Sequence, residues 1–231
     1  MLAITVHDGR VFVGDRFSVS FQRTRRAGDE SLKYPPVSRG HLPAHLLTGP
    51  APHPCPPMSA DSHVLIPCGY AESVWLGFAG AGSRPVALKI FAGPTNAITG
   101  GPRDDALHGD PQDYVVAPDQ TSWHGVRSDA AVRQFSGEPI ELVVYEPVVP
   151  IDRARDGPRW DAIYHAKDDM SGEPGRLDPF AIVPDPYGLA SWSNQPSGRV
   201  TIACVDDGCW RSITGEDPPA PRSEYQGWRL P

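Results

Sequence analysis

One stretch of the chain gathers most of its candidate chemistry: Asp104-Asp105-Ala106-Leu107-His108-Gly109-Asp110-Pro111-Gln112-Asp113. An imidazole among carboxylates can bind a metal, or be oriented and tuned as a general base. Gly109 permits a sharp turn and Pro111 stiffens it, so His108, Asp110 and Asp113 can converge. These three are the candidate catalytic residues. The competing reading is an Asp-rich turn whose side chains bond their own backbone.

A second cluster follows, with Asp119, Gln120, Trp123 and His124. An aromatic ring beside an amide, an acid and an imidazole suits a small polar ligand, and these four are the candidate ligand-binding residues. The competing reading is a loop whose Trp caps the core. A strand over 113–117 separates the two clusters. At about 3.3 Å per residue it spans roughly 16 Å, so the clusters are expected to form separate sites. His41 and His45 would share a helix face, as in zinc sites, but Pro43 interrupts them and no Glu follows His41. No metal site and no cofactor are assigned. The four Cys lack paired CxxC spacing and a catalytic elbow, and inert reduced thiols are expected. Cys204 and Cys209 flank a turn in which one register would pair the sulfurs and another would not.

The elements that must carry these residues read as short strands. Ile4–Val6 and Val11–Val13 flank Asp8-Gly9, the preferred centre of a type I′ turn, which sets Val6 opposite Val11 and Ile4 opposite Val13. Phe17, Val19 and Phe21 alternate with Ser18, Ser20 and Gln22 as a half-buried strand. Residues 23–60 read as a long Pro-rich loop with one helical turn near Pro43–Leu47. Strands are expected at His63–Pro67, Ser73–Phe78, Val86–Ala92, Asp113–Ala117, Ala131–Phe135 and Ile140–Glu146. Residues 150–197 are loop-rich. Arg199–Val205 and Trp210–Ile213 read as a last hairpin about Asp207-Gly208, and 216–231 as a coil tail. The pattern predicts one all-β domain over 1–231, an irregular β-sandwich or a partly open barrel with long Pro/Gly-rich loops. The 27 Pro and 23 Gly fit that expectation.

Several stretches carry a resemblance: VGDRFSVSFQRT (13–24) with the YPP after it, ESVWLGF (72–78), NAITG (96–100), LHGDPQDYVVAPDQ (107–120), VRQF (132–135), DPYG (185–188) and ITGEDPP (213–219). Together they resemble an uncharacterised, mainly bacterial protein family along most of the chain. The resemblance implies a single-domain protein and supplies no catalytic residues. At Ser122-Trp123-His124-Gly125 this chain departs from the family pattern, which has an Asp before the Gly. That departure points to a specialised member.

The net charge of −7 excludes a nucleic-acid partner held by bulk positive charge. No apolar run reaches the roughly 20 residues of a membrane span, and the first residues do not read as a signal peptide. A cytoplasmic protein without a membrane partner is expected, and self-association is left open. The leading functional expectation is a non-redox acid/base enzyme of lyase, isomerase or hydrolase type. It would act on a small polar molecule in a β-lined pocket. The alternatives are a non-catalytic binding or protein-interaction module and a metal-dependent enzyme.

Overall fold

Short strands with turns between them build two sheets and a small ribbon. The computed structural model describes residues 2–15, 17–27, 32, 36–49, 63–80, 84–128, 131–135, 137–152 and 180–221. Cys55 and large parts of the two expected loops and the tail lie outside these residues. The first sheet has the order β1 (Ile4–His7), β2 (Arg10–Val13), β3 (Phe17–Arg25), β7 (Glu72–Gly80) and β11 (Ser122–Trp123), with β4 (His41–Leu42) also on β3. The second runs β10 (Val115–Ala117), β8 (Val86–Ala92), β14 (Ile140–Tyr145), β15 (Gly198–Val205), β6 (His63–Pro67) and β5 (His45–Leu47), with β9 (Thr95–Asn96) on β8. The ribbon pairs β12 (Val126–Ser128) with β13 (Ala131–Arg133). The protein is all-β in class, and its sheets do not close into a barrel.

The first hairpin follows from its turn. Asp8 and Gly9 both hold positive φ, and the register places Ile4 against Val13 and Val6 against Val11, as the Asp-Gly pair predicts. The two sheets share one apolar core. Val11, Val13, Phe17, Val19, Phe21 and Leu76 from the first meet Val64, Ile66, Leu88, Ile90, Leu142 and Ile202 from the second. The second sheet is covered on its outer face as well. Phe91, Tyr114, Val143, Tyr145 and Trp192 pack over one end of it, and Leu65, Val205, Cys209 and Trp210 over the other.

Three expectations change. β3 is buried on both faces and not half-buried, since Ser18, Ser20 and Gln22 are enclosed too. Their polar atoms are satisfied locally: Ser18 Oγ donates to Ala79 O, Ser20 Oγ to Gly77 O, and Gln22 Nε2 to Ser20 Oγ. No helical turn forms near Pro43–Leu47. Residues on either side of Pro43-Ala44 pair instead as β4 and β5, in different sheets. The last hairpin is absent, because Asp207–Thr214 is the helix α1. Asp206 caps it by accepting from Cys209 N, and Gly215 ends it in the left-handed region with φ 75°. The Asp-Gly pair thus lies in a first helical turn, where an upstream Asp cap outweighs its turn preference.

Two glycines allow backbones to touch where the ribbon meets the rest. A Cβ on Gly125 would lie 2.0 Å from Arg133 O, and one on Gly100 would lie 2.3 Å from Arg127 O. Gly125→Ala is expected to lower stability by about 2–3 kcal/mol, because the clash is with backbone and not with a movable side chain. Urea denaturation measures this, and an unchanged midpoint would show that the ribbon shifts freely.

Candidate functional site

The site begins with a lysine that β8 points away from the core. Along β8, Val86, Leu88, Ile90 and Ala92 face the inter-sheet core, so Ala87, Lys89 and Phe91 face outward. Lys89 is nevertheless 0% exposed. A buried ammonium is costly unless several oxygens surround it. Residues 104–113 provide them by arching over the strand. Lys89 Nζ pairs with Asp113 Oδ2 at 2.7 Å, donates to Asp104 O at 2.6 Å and also donates to Ala106 O.

Asp113 carries this anchor onward to His108. Its Oδ1 accepts from the His108 backbone N–H at 2.9 Å, and its Oδ2 lies 3.0 Å from His108 Nδ1. The turn between them is closed by Asp113 N donating to His108 O and by a bridge between Gly109 and Gln112, with a cis Asp110-Pro111 bond at its tip. The carboxylate therefore sets the imidazole tautomer, with Nδ1–H donated to Asp113. The other nitrogen, Nε2, lies 3.4 Å from Asp104 Oδ2, and the His108 side chain is half exposed. The Asp104 carboxyl stays below the usual carboxylate range, chiefly through the hydrogen bond from Ala106 N. His108 and Asp113 thus converge as expected. Asp110 does not join them; it is exposed on the turn and pairs with no described residue.

Both ends of the arch are fixed. At its start, Arg103 and Arg199 pair with Glu141, Arg199 also pairs with Asp105, and Tyr145 OH donates to Asp105 O. Burial opposes charge on Glu141, yet the hydrogen bonds from the two arginines hold its carboxyl below the usual range. At its end, Gln112 Nε2 donates to Tyr114 O and Val183 O, and Gln112 Oε1 accepts from Asp185 N. Asp185 in turn accepts from Tyr114 OH at 2.6 Å and Trp192 Nε1 at 2.7 Å. Burial, then the bond to Asp185, pushes the Tyr114 phenol well up.

The second candidate cluster separates onto different partners. Gln120 ties its own loop to a distant segment, donating to Ser122 O and accepting from Val183 N. Asp119 is buried and accepts from Tyr187 OH at 3.3 Å. Trp123 belongs to the inter-sheet core, and its Nε1 donates to Ala97 O. His124 packs between the rings of Trp75 and Phe180, with centroids 5.3 Å and 5.8 Å away. Burial pushes its pKa down to about 4.

His41 and His45 also diverge. His41 Nδ1 lies 2.7 Å from Gln22 Nε2, and His45 meets the Trp210 ring edge-on. They share no helix face, since they lie on strands of different sheets. Among the described residues no three His, Cys, Asp or Glu side chains are grouped to hold a metal ion. The expectation of four reduced thiols is corrected as well. Cys209 is disulfide-bonded, while Cys68 and Cys204 are free. Cys204 and Cys209 therefore do not pair, and the Cys209 partner lies outside the described residues.

Beside the His108 turn opens a cleft of about 550 Å³, lined by Val148, Val149, Pro150, Ile151, Pro186, Tyr187, Ala190 and Ser191. Its walls are loops and a short 3₁₀ turn, not strands. Leu107, immediately before His108, packs in the same apolar cluster as Ile151 and Tyr187 of the cleft, and Gly109 lies against Leu189. Sequence reasoning overlooked Lys89, because a lone Lys in VALKIFA gives no sign of which oxygens will reach it. It also overlooked the cleft, whose walls come from two distant segments. Compared with protein-family models, curated proteins and solved structures, the chain matches none. Among the described residues no helix is long and apolar enough to cross a membrane.

Lys89→Met is expected to cost about 3–5 kcal/mol, because it leaves Asp113 buried without its cation. Lys89→Met combined with Asp113→Leu recovers most of that loss in denaturant titrations if charge, not shape, is the cause. His124 gives a pH signature. Its unfolded form takes up a proton near 6.5, its folded form only near about 4. Between those values the unfolded chain binds more protons, so stability falls as pH drops through this window and is unaffected above it. The loss is of order 1–3 kcal/mol after allowance for partial exposure, and His124→Gln is expected to flatten the slope.

Proposed function

We propose that the protein is a non-redox acid/base enzyme in which His108 transfers a proton to or from a small molecule lodged in the neighbouring cleft. The observation that carries this reading is the chain Lys89–Asp113–His108, at 2.7 Å and 3.0 Å, ending in a half-exposed imidazole. A general base needs one nitrogen held in a fixed tautomer and the other open to substrate. Asp113 supplies the first condition and the exposure of His108 fits the second. The Asp104 carboxylate, 3.4 Å from Nε2, stabilises the positive charge that His108 gains on taking a proton. The mixed polar and apolar walls of the cleft suit a small molecule with both kinds of surface. Asp119, Gln120, Trp123 and His124 act in this reading through the fold, by holding segment 180–187 and the inter-sheet core in place.

A second reading, a non-catalytic interaction module, has one observation in its favour. Val148, Val149 and Leu189 around the cleft are 64%, 72% and 44% exposed, an apolar rim that a partner could cover. The cytoplasmic compartment belongs to the same proposal. The free thiols of Cys68 and Cys204 support it, and the Cys209 disulfide weighs against it.

A turnover screen over small esters, lactones, hydroxy acids and β-keto acids tests the enzyme reading. His108→Gln is expected to lower the activity found by about 10²–10⁴-fold, the usual contribution of a positioned acid or base. Its melting temperature stays near that of the wild type, because the exposed ring carries little packing. An activity that survives His108→Gln would sink the proposal. Binding in the cleft with no turnover by either protein would favour the module.

A further inference from the structure

Away from the His108 turn, two free thiols meet where β6 leaves the second sheet. Cys204 on β15 stands opposite Ile66 in the parallel pair with β6, and Cys68 follows two residues after Ile66. Side chains two apart share a face, so both sulfurs point to the same side. The backbone holds that alignment past the end of the strand, since Cys68 N donates to Val205 O at 3.0 Å. Both side chains pack at the margin of the inter-sheet core, and both residues are partly exposed. The register makes Cys68 and Cys204 diagonal neighbours on one face of adjacent strands.

We propose that Cys68 and Cys204 are a peroxide-reactive dithiol, in which Cys68 is the attacking sulfur and Cys204 the resolving one. The asymmetry of their surroundings sets these roles. The interaction with Cys204 holds the Cys68 thiol below its ordinary value; burial and Glu72 oppose this, while Arg23 and Arg26 assist. The same interaction, with burial, pushes the Cys204 thiol up. The thiolate is the reactive form, so Cys68 is the sulfur that meets an oxidant first. The oxidant class is a hydroperoxide. Cys68 sulfur attacks one peroxide oxygen, the O–O bond breaks, and the departing hydroxide takes a proton as water. Cys68 is now a sulfenic acid. Cys204 sulfur then attacks Cys68 sulfur, the S–O bond breaks, and hydroxide leaves as water with the Cys204 proton. Two thiols and one hydrogen peroxide become one disulfide and two waters. The product adds a covalent link between the end of β6 and β15, which pair by ladder hydrogen bonds and side-chain packing. A thiol reductant reverses it.

Hydrogen peroxide added to the purified full-length chain, followed by alkylation and peptide mapping, tests the proposal. The expected result is a peptide linking Cys68 to Cys204, with both thiols lost together and restored by dithiothreitol. In Cys204→Ser, Cys68 is expected to accumulate as a sulfenic acid captured by dimedone. In Cys68→Ser, loss of the Cys204 thiol is expected to be at least tenfold slower than in the wild type. Full alkylation of both residues after peroxide treatment overturns the proposal, as does equally fast loss of Cys204 in Cys68→Ser. The wild-type map stands even if a variant fails to fold, and it distinguishes this pair from the Cys209 disulfide by peptide identity.

Discussion

A charge enclosed by the fold dictates the arrangement of the site. Lys89 lies on a strand whose seven residues are all buried, so its ammonium can reach no water. Only a ring of oxygens compensates for that, and the ring must come from a segment distant along the chain. The arch 104–113 is therefore not a free surface loop. Two of its carbonyls and one of its carboxylates are committed to Lys89, and its root is tied to Glu141 and Arg199. Because Asp113 must meet Lys89, it also lies where it can take both the backbone and the ring of His108. The imidazole is positioned as a by-product of neutralising a buried cation.

The parts of the fold that were legible in the sequence are those set by neighbours in the chain. Asp8-Gly9 fixes the register of the first hairpin because two positive φ values admit one turn type. The apolar runs 63–67 and 86–92 mark strands enclosed by other layers, and both begin and end as expected. The illegible parts depend on which of two local preferences wins. Asp207-Gly208 has hairpin chemistry, yet Asp206 three residues before Cys209 makes a helix cap, and the buried faces of Cys209 and Trp210 reward the helix. Residues 41–47 are too short to show a period, and only pairing with β3 and β6 makes strands of them.

The same division holds for the site. The five-residue spacing of His108 and Asp113 around Gly109 and Pro111 is a local signal, and the two side chains do meet. The grouping of Asp119, Gln120, Trp123 and His124 treats neighbours in sequence as neighbours in space. Trp123 turns into the inter-sheet core, while Asp119, Gln120 and His124 meet Tyr187, Val183 and Phe180 of one distant segment. Three of the stretches quoted for the resemblance brace the fold. Asp185 of DPYG joins Tyr114 to Trp192, Asn96 of NAITG accepts from Ile98 and Thr99, and Gly215 of ITGEDPP ends α1. Motifs that brace a fold identify the fold without naming a reaction.

The step at Pro43-Ala44 has a mechanical consequence. Within two residues the chain leaves β4 in one sheet and enters β5 in the other, and the turn at Gly9 lies against Leu42 O and the Pro43 Cα. Two layers held together only by apolar side chains can slide over one another at little cost, since such contacts have no preferred direction. A covalent crossing anchored by ladder hydrogen bonds on both sides removes that freedom along one edge. Sliding of the layers at that edge is then resisted by ladder hydrogen bonds on both sides. α1 braces that same edge, since Trp210 meets the His45 ring and packs in one cluster with Leu47 of β5.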